Sequence, residues 1–258
     1  MNYKDWYEKS FKEWRESIKD PQKNIYNKAG EENRNQNVFI YDGIANPELW
    51  FNQEKRPLFI LKEAYGGDKD WDEVKWFLTK GTPESGNKEG KIKNATWRRI
   101  AKWAAYIFLD DEEFDKTPMW ENKSLQKIAL INIKKYGGTS ISKDGDLEQH
   151  AIEYAKELFN QIKTIRPTLI VCGYTGWLLD IVWENNQMEP IRGRNHDSRV
   201  YDVNGLDGPV RMIDFWHPSA RCTKIDLDKA FQNDLKIALS NNPLPKTVEL
   251  ENVNKETI

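Results

Sequence analysis

The sequence predicts an α/β protein, with helical layers on both sides of a mainly parallel central sheet. Three observations predict it. Short, largely apolar runs occur at 57–61, 127–132, 168–172 and 210–215, and strands buried on both faces read as continuous runs rather than alternations. Amphipathic helical patterns separate these runs, the order expected of a βα-alternating chain. Each run is closed by glycine, charge or a polar hydrogen-bonding group, at the sheet end where open α/β folds gather their ligands.

The elements follow in order. Residues 3–19 form an amphipathic helix, with Trp6, Phe11, Trp14 and Ile18 close to a 3.6 period, and "DPQKN" stops it. Residues 22–36 are polar and read as a loop. "VFIY" (38–41) is the first β signal, and "PLFILK" (57–62) is an apolar strand closed by a charge. Trp97, Ile100, Ala101, Ala104 and Phe108 make the stripe of a helix over 96–109, with Arg98, Arg99 and Lys102 off it. "KIALINI" (127–133) is the next strand. One helix is expected over 146–165, striped by Ala151, Ala155, Leu158, Phe159 and Ile162. Asp146 is its N-cap, with Gln149 three residues on. "TLIVCG" (168–173) and "VRMIDF" (210–215) are the last strands, followed by helices at 174–183 and 226–239. The expected organisation is an N-terminal helical extension (1–36), one domain (37–240) and a loose tail (241–258) holding two prolines and little periodicity.

Composition bounds the function. The 258 residues hold 39 Lys plus Arg against 41 Asp plus Glu, a net charge of −2, which excludes a globally basic nucleic-acid coat but not a local basic face. The 11 Trp, 10 Tyr and 10 Phe are too many for a disordered chain and supply either core or stacking surface. No apolar run reaches the roughly 20 residues of a membrane span, and the N-terminus lacks the apolar stretch of a signal peptide. Two cysteines, Cys172 and Cys222, are too few for a disulfide framework or a four-cysteine metal site. A cytoplasmic setting without a membrane partner is expected.

The strand ends carry the chemistry. His217 follows an apolar strand and precedes Pro218 and Ser219. An imidazole there can donate to an oxygen gaining negative charge, or cap backbone groups of a turn. Glu63 precedes Gly66 and Gly67, whose missing side chains allow a ligand close to the backbone. Its carboxylate can orient water or offset a developing cation, or be a solvated turn charge. Asn132 interrupts an apolar strand. A buried amide must be paired, and it can read a donor and acceptor pair on a base edge. Trp71, Trp76 and Phe77 follow the glycine turn and offer stacking faces. Arg98, Arg99 and Lys102, with Lys88, Lys91 and Lys93 upstream, form one basic stretch. Arg192, Arg194 and Arg199 form another; either can contact phosphates or be solvated surface. "GYTGWL" lacks the Lys-Ser/Thr of a nucleotide-binding loop, which excludes an ATPase of that type.

Taken together, these strand ends resemble the uracil-DNA glycosylase superfamily. Lys62-Glu63-Ala64-Tyr65-Gly66 stands where that family has its first motif, Gly-Glu-Ala-Pro-Gly in one form, and Glu63, Ala64 and Gly66 match. Asn132 matches the base-reading Asn at the end of the next core strand. Trp76 and Phe77 stand at the spacing of the stacking Phe. His217-Pro218-Ser219-Ala220-Arg221 matches the last motif, which begins His-Pro-Ser. Lys62 and Tyr65 replace a glycine and a proline. Ala64 stands where the most active members have a water-activating Asp. The branch with Ala there binds an iron–sulfur cluster through four cysteines, and this chain has two.

The resemblance, running from about residue 38 to 240, implies a glycosylase-like α/β/α fold and hydrolysis of the N-glycosidic bond of a base flipped out of DNA. That base is uracil-like, damaged or modified, phage-type bases included. His217 and Glu63 would be catalytic, with Asp214 a substitute for Glu63, and Asn132, Trp76, Phe77 and Tyr65 would hold the base. Gly66, Gly67, Ser219, Arg221, Arg192, Arg194 and Arg199 would meet the DNA backbone. No metal or organic cofactor is implied. Two other classes fit the same residues: a catalytically weak nucleic-acid or nucleotide binding module on the same fold, and a hydrolase of free nucleosides or nucleotides.

Overall fold

The structure is a computed structural model describing residues 3–17, 38–65, 69–80, 92, 94–109, 123–138, 142–192 and 198–240. The strands are β1 (Ile40–Tyr41), β2 (Gly43–Ile44), β3 (Pro57–Tyr65), β4 (Trp71–Asp72), β5 (Ala129–Gly138), β6 (Leu169–Gly173), β7 (Val200–Val203) and β8 (Val210–Phe215). The helices used below are α1 (Tyr3–Ser17), α2 (Pro47–Asn52), α3 (Glu73–Lys80), α4 (Ala95–Ile107), α5 (Asp144–Glu153), α6 (Ala155–Ile165), α7 (Gly176–Asn185) and α8 (Leu227–Leu239).

The four apolar runs become the centre of a six-stranded sheet, in the order β2-β5-β3-β6-β8-β7. The expected α/β class is met, with a mixed sheet. The three central pairings, β5·β3, β3·β6 and β6·β8, are parallel, while β2 and β7 close the two edges antiparallel. Because the central strands run the same way, their carboxyl ends, and the residues just past them, meet at one edge of the sheet.

Alternation along the strands splits the core in two. Leu58, Ile60, Ile131 and Ile170 face helices α1, α2, α5, α6 and α7. Phe59, Leu61, Leu130, Val171 and Ile213 face α4 and α8, with the ring of Trp103 stacked 4.7 Å from that of Phe231. Each fully buried large apolar side chain contributes about 1.5–3 kcal/mol. Helix α1 belongs to the first layer. Phe11 and Trp14 are buried there, and Phe11 meets Phe39 and Tyr41 at 5.9 and 5.6 Å between ring centroids.

Two expectations need correction. The single helix over 146–165 is two, α5 and α6, broken at Tyr154 (φ −112°, ψ 25°), whose hydroxyl is held 3.1 Å from that of Tyr136 on β5. Asp146 is not the N-cap. The helix begins earlier, after Lys143, whose carbonyl accepts from the Asp146 N–H at 3.1 Å. Asp146 and Asp144 lie in the first turn, where carboxylates favour the helix dipole. The expected loop at 22–36, Ile18 and the expected tail at 241–258 lie outside the described residues, as does the side chain of Trp6. Among the described residues no helix is long and apolar enough to cross a membrane.

Candidate functional site at the carboxyl edge of the sheet

Strand β8 ends at Phe215, and the chain turns through Trp216, His217 and Pro218. The turn is closed by the Ala220 N–H donating to His217 O at 2.8 Å. Arg99, one turn into α4 and beside its apolar stripe, donates to the carbonyls of Pro218 and Ala220 at 2.5 and 2.7 Å. Two charge-assisted bonds from one planar group fix a turn firmly. From the sequence, Arg99 belongs to a basic stretch that can contact phosphates or be solvated surface. Its work as a clamp on the His217 turn had one available signal, the break it makes beside an otherwise apolar stripe.

The imidazole of His217 is oriented from its Nδ1 side. The Ser219 backbone N–H donates to Nδ1 at 3.2 Å, and the Ser219 hydroxyl lies 2.7 Å away. A nitrogen that accepts from a backbone N–H carries no proton of its own, so the neutral ring holds its hydrogen on Nε2. Burial, and then the nearby Lys62 ammonium, push the His217 pKa down to about 4. At neutral pH the ring is uncharged and presents one N–H.

Gly173, the last residue of β6, makes room for it. A Cβ there would lie 2.7 Å from Leu61 Cδ2, 3.0 Å from Pro218 Cδ and 3.5 Å from His217 Cδ2. Gly173→Ala is therefore expected to lower unfolding free energy by about 1–3 kcal/mol, the usual range for overpacking. It should displace the His217 turn, and denaturant melts together with the histidine's NMR titration will check both effects.

Tyr174 follows at φ +61°, a left-handed conformation that tyrosine rarely adopts. Its N–H donates to Phe215 O at 2.7 Å, its ring is 55 % exposed, and the Lys62 ammonium sits 4.8 Å from the ring centroid. Strained backbone at a strand end is a frequent mark of a working site. The sequence marks Tyr174 only as part of "GYTGWL", since no residue type announces a positive φ.

Glu63 and Asn132, expected to close their strands, lie within them, because the parallel pairing of β3 with β5 carries β3 on to Tyr65 and β5 to Gly138; by register the two share one face of the sheet. β3 and β5 pair Leu61 with Asn132 and Glu63 with Lys134. The Glu63 carboxylate, its side chain 5 % exposed, is ion-paired with Lys134 at 2.9 Å. Asn132 is buried in a polar cluster. Its backbone N–H donates to Asp42 Oδ2 at 2.7 Å, and its Nδ2 lies 3.4 Å from that oxygen and 2.5 Å from Glu73 Oε2. Asp42 in turn accepts from Lys135 Nζ at 2.6 and 2.7 Å and from Gln161 Nε2 at 2.9 Å. Burial, partly offset by the Asn132 bond, pushes the Glu73 carboxyl up to about 8. Burial pushes the Lys135 ammonium down, and Asp42 acts against it. Asn132 Oδ1 is buried and has no hydrogen-bond partner among the described residues. Such an oxygen costs about 1–3 kcal/mol unless something arrives to bond it.

Several expected contacts are engaged elsewhere. Arg192 pairs with Asp180 at 2.7 Å and Asp214 at 3.2 Å. Arg199 forms a two-pronged pair with Asp234 at 2.6 and 3.0 Å, its guanidinium 5.1 Å from the Trp216 ring centroid. Asp214 also accepts from the Gly176 N–H at 3.1 Å, and burial raises its pKa. Ser219 and Arg221 are exposed beside His217. Trp76 is 42 % exposed on α3, edge-on to Trp71 at 5.9 Å. The side chains of Tyr65 and Phe77 lie outside the described residues, as do Gly66, Gly67 and Arg194. Among the described residues no group of three or more His, Cys, Asp or Glu could hold a metal ion. No protein-family model and no curated protein matches the chain.

Proposed function

We propose that the chain is a DNA glycosylase, hydrolysing the N-glycosidic bond of a flipped-out uracil-like, damaged or modified base. The observation that carries this reading is His217: an uncharged imidazole, oriented through Nδ1, with its Nε2–H left to donate. In the reaction the bond between C1′ and the base nitrogen breaks, its electron pair leaves with the base, and water then adds hydroxide to C1′ and a proton to the base. The leaving base gains negative charge on its exocyclic carbonyl oxygens, and a preset N–H donor stabilises that charge. Asn132, deep on β5, reads the base edge, and Trp76 offers a stacking face. The Glu63 carboxylate offsets positive charge developing on the sugar. Leu61, the register partner of Asn132, borders the same Gly173 position as His217, which supports a common cleft.

The direct test incubates the protein with single-stranded and duplex oligonucleotides carrying uracil or modified bases and scores abasic sites. Its pH profile tests the donor. A group whose folded pKa lies near 4 rather than 6.5 is already uncharged above about pH 5, so base release should stay level from about pH 5 to 7.5. A charged imidazolium acid would instead lose rate above pH 6.5, and such a fall would refute the neutral donor.

A second reading is favoured by one observation. Arg192 and Arg199 are both held by carboxylates rather than presented to a phosphate backbone. A hydrolase of free nucleosides or nucleotides needs no such surface, and adding these compounds to the same assay separates the two.

A further inference from the structure

We infer that Tyr174 is a stacking platform for the base next to the flipped-out one, so that the site takes single-stranded DNA in preference to duplex. For the course of the strand this rests on the glycosylase reading; for its geometry it rests on Tyr174 itself.

Strand β6 passes into α7 through Gly173, Tyr174 and Thr175, and Tyr174, at φ +61°, is the apex of that turn. A sharp strand-to-helix turn with a left-handed apex lifts the apex side chain clear of the sheet. Glycine holds that conformation without strain, and the chain does use glycine on either side. A Cβ on Gly173 would crowd Leu61 and Pro218, and one on Gly176 would strike the Asp214 carboxylate. At the apex, where glycine would relieve the backbone, the chain carries a tyrosine instead. Strain kept at such a place points to use.

The surroundings of the ring agree. It is 55 % exposed, so burial does not hold it there. The Lys62 ammonium, 3.4 Å from Asp144 Oδ1, sits over one face at 4.8 Å from the centroid, which leaves the other face to solvent. The Tyr174 N–H donates to Phe215 O, two residues before His217, and Lys62 also acts on His217 through its charge. The ring therefore borders the turn that carries the imidazole. A flat ring backed by a cation is a stacking surface for any base. A base inside a duplex is already stacked on both faces, whereas one in a single strand has a face to give. Charge points the same way. The net charge is −2, and Arg192 and Arg199 are held by carboxylates, so stacking suits this surface better than phosphate contacts.

Tyr174→Gly tests this, because it removes the ring and the strain together. The denaturation midpoint is expected to hold or rise. Binding of a fluorescein-labelled oligodeoxythymidylate, read by anisotropy, is expected to weaken about tenfold or more, the scale of one base–aromatic stack, and binding of the same strand annealed to oligodeoxyadenylate less than about twofold. Tyr174→Trp is expected to bind the single strand at least as tightly as the wild type. An unchanged single-strand affinity, an equal loss on both forms, or a wild type that binds neither would overturn the inference. If Tyr174→Gly does not fold, Tyr174→Asn, which tolerates a left-handed backbone, is expected to show the same loss, and its absence there counts equally against the platform. A wild type that binds the single strand through Tyr174 yet releases no base sustains the platform and counts against the glycosylase reading alone.

Discussion

Replacing His217 with alanine is expected to slow single-turnover base release by roughly 10²–10³-fold, the usual effect of losing one preset donor to a developing oxyanion. Binding of DNA should change little, because phosphate contacts supply most non-specific affinity and the role proposed for His217 is toward the base. The fold should survive. The side chain bonds only Ser219 among the described residues, and the turn is held independently by Arg99 through the carbonyls of Pro218 and Ala220. A rate loss with unchanged binding and an unchanged denaturation midpoint is therefore the signature to look for. If His217→Ala releases base at the wild-type rate, the donor assignment is wrong. His217→Asn, which keeps an N–H of shorter reach, should recover part of the loss.

Lys135→Met is expected to lower the unfolding free energy by roughly 3–5 kcal/mol, the effect of removing one partner from a buried ion pair. Lys135 and Asp42 have side chains 1 % and 0 % exposed. Without the ammonium, Asp42 keeps a charge with no counter-ion and only amide donors around it. The same ammonium lies 5.8 and 5.3 Å from the ring centroids of Phe11 and Trp14, so its removal also loosens α1 from β5. Asp42→Asn combined with Lys135→Met should recover much of the loss, since neutral groups of similar volume carry a smaller desolvation penalty. Urea denaturation at neutral pH measures both. A single-variant loss below about 1 kcal/mol would mean that water reaches the pair.

The central strands were legible because a strand covered on both faces has no polar face to interrupt its pattern. Leu169–Gly173 and Val210–Phe215 stand where their apolar runs do, while Pro57–Tyr65 and Ala129–Gly138 continue past theirs, since Lys62, Glu63, Lys134 and Lys135 break the apolar pattern without ending the pairing. The sheet's edges were not. β2 is two residues long and β7 four, too short for any period to register, so the antiparallel margins went unseen. Helix α5 was misjudged at its start because a carboxylate suits both an N-cap and a first turn. Within the site, His217, Glu63 and Asn132 were legible as polar residues closing or breaking apolar runs. Their partners were not. Asp42 sits in "YDGI" and Glu73 opens a short helix, 90 and 59 residues from Asn132 in the chain, and nothing local marks either as bound for one buried cluster. Only the pairing of β2 beside β5, and of α3 against the same region, brings them there.

The grip of Arg99 on the His217 turn is blind to side-chain identity. It holds the carbonyl oxygens of residues 218 and 220, atoms that every amino acid supplies. Substitutions at Ala220, half-exposed beside His217, would thus leave the anchoring intact while altering what the loop touches. The turn can drift in sequence and explore new substrates without losing the placement of its imidazole, whereas a single change at Arg99 would remove both of its bonds to α4. Variation concentrated in the loop and silence at the helix position is the pattern such an arrangement would leave in a mutational scan selected for base release.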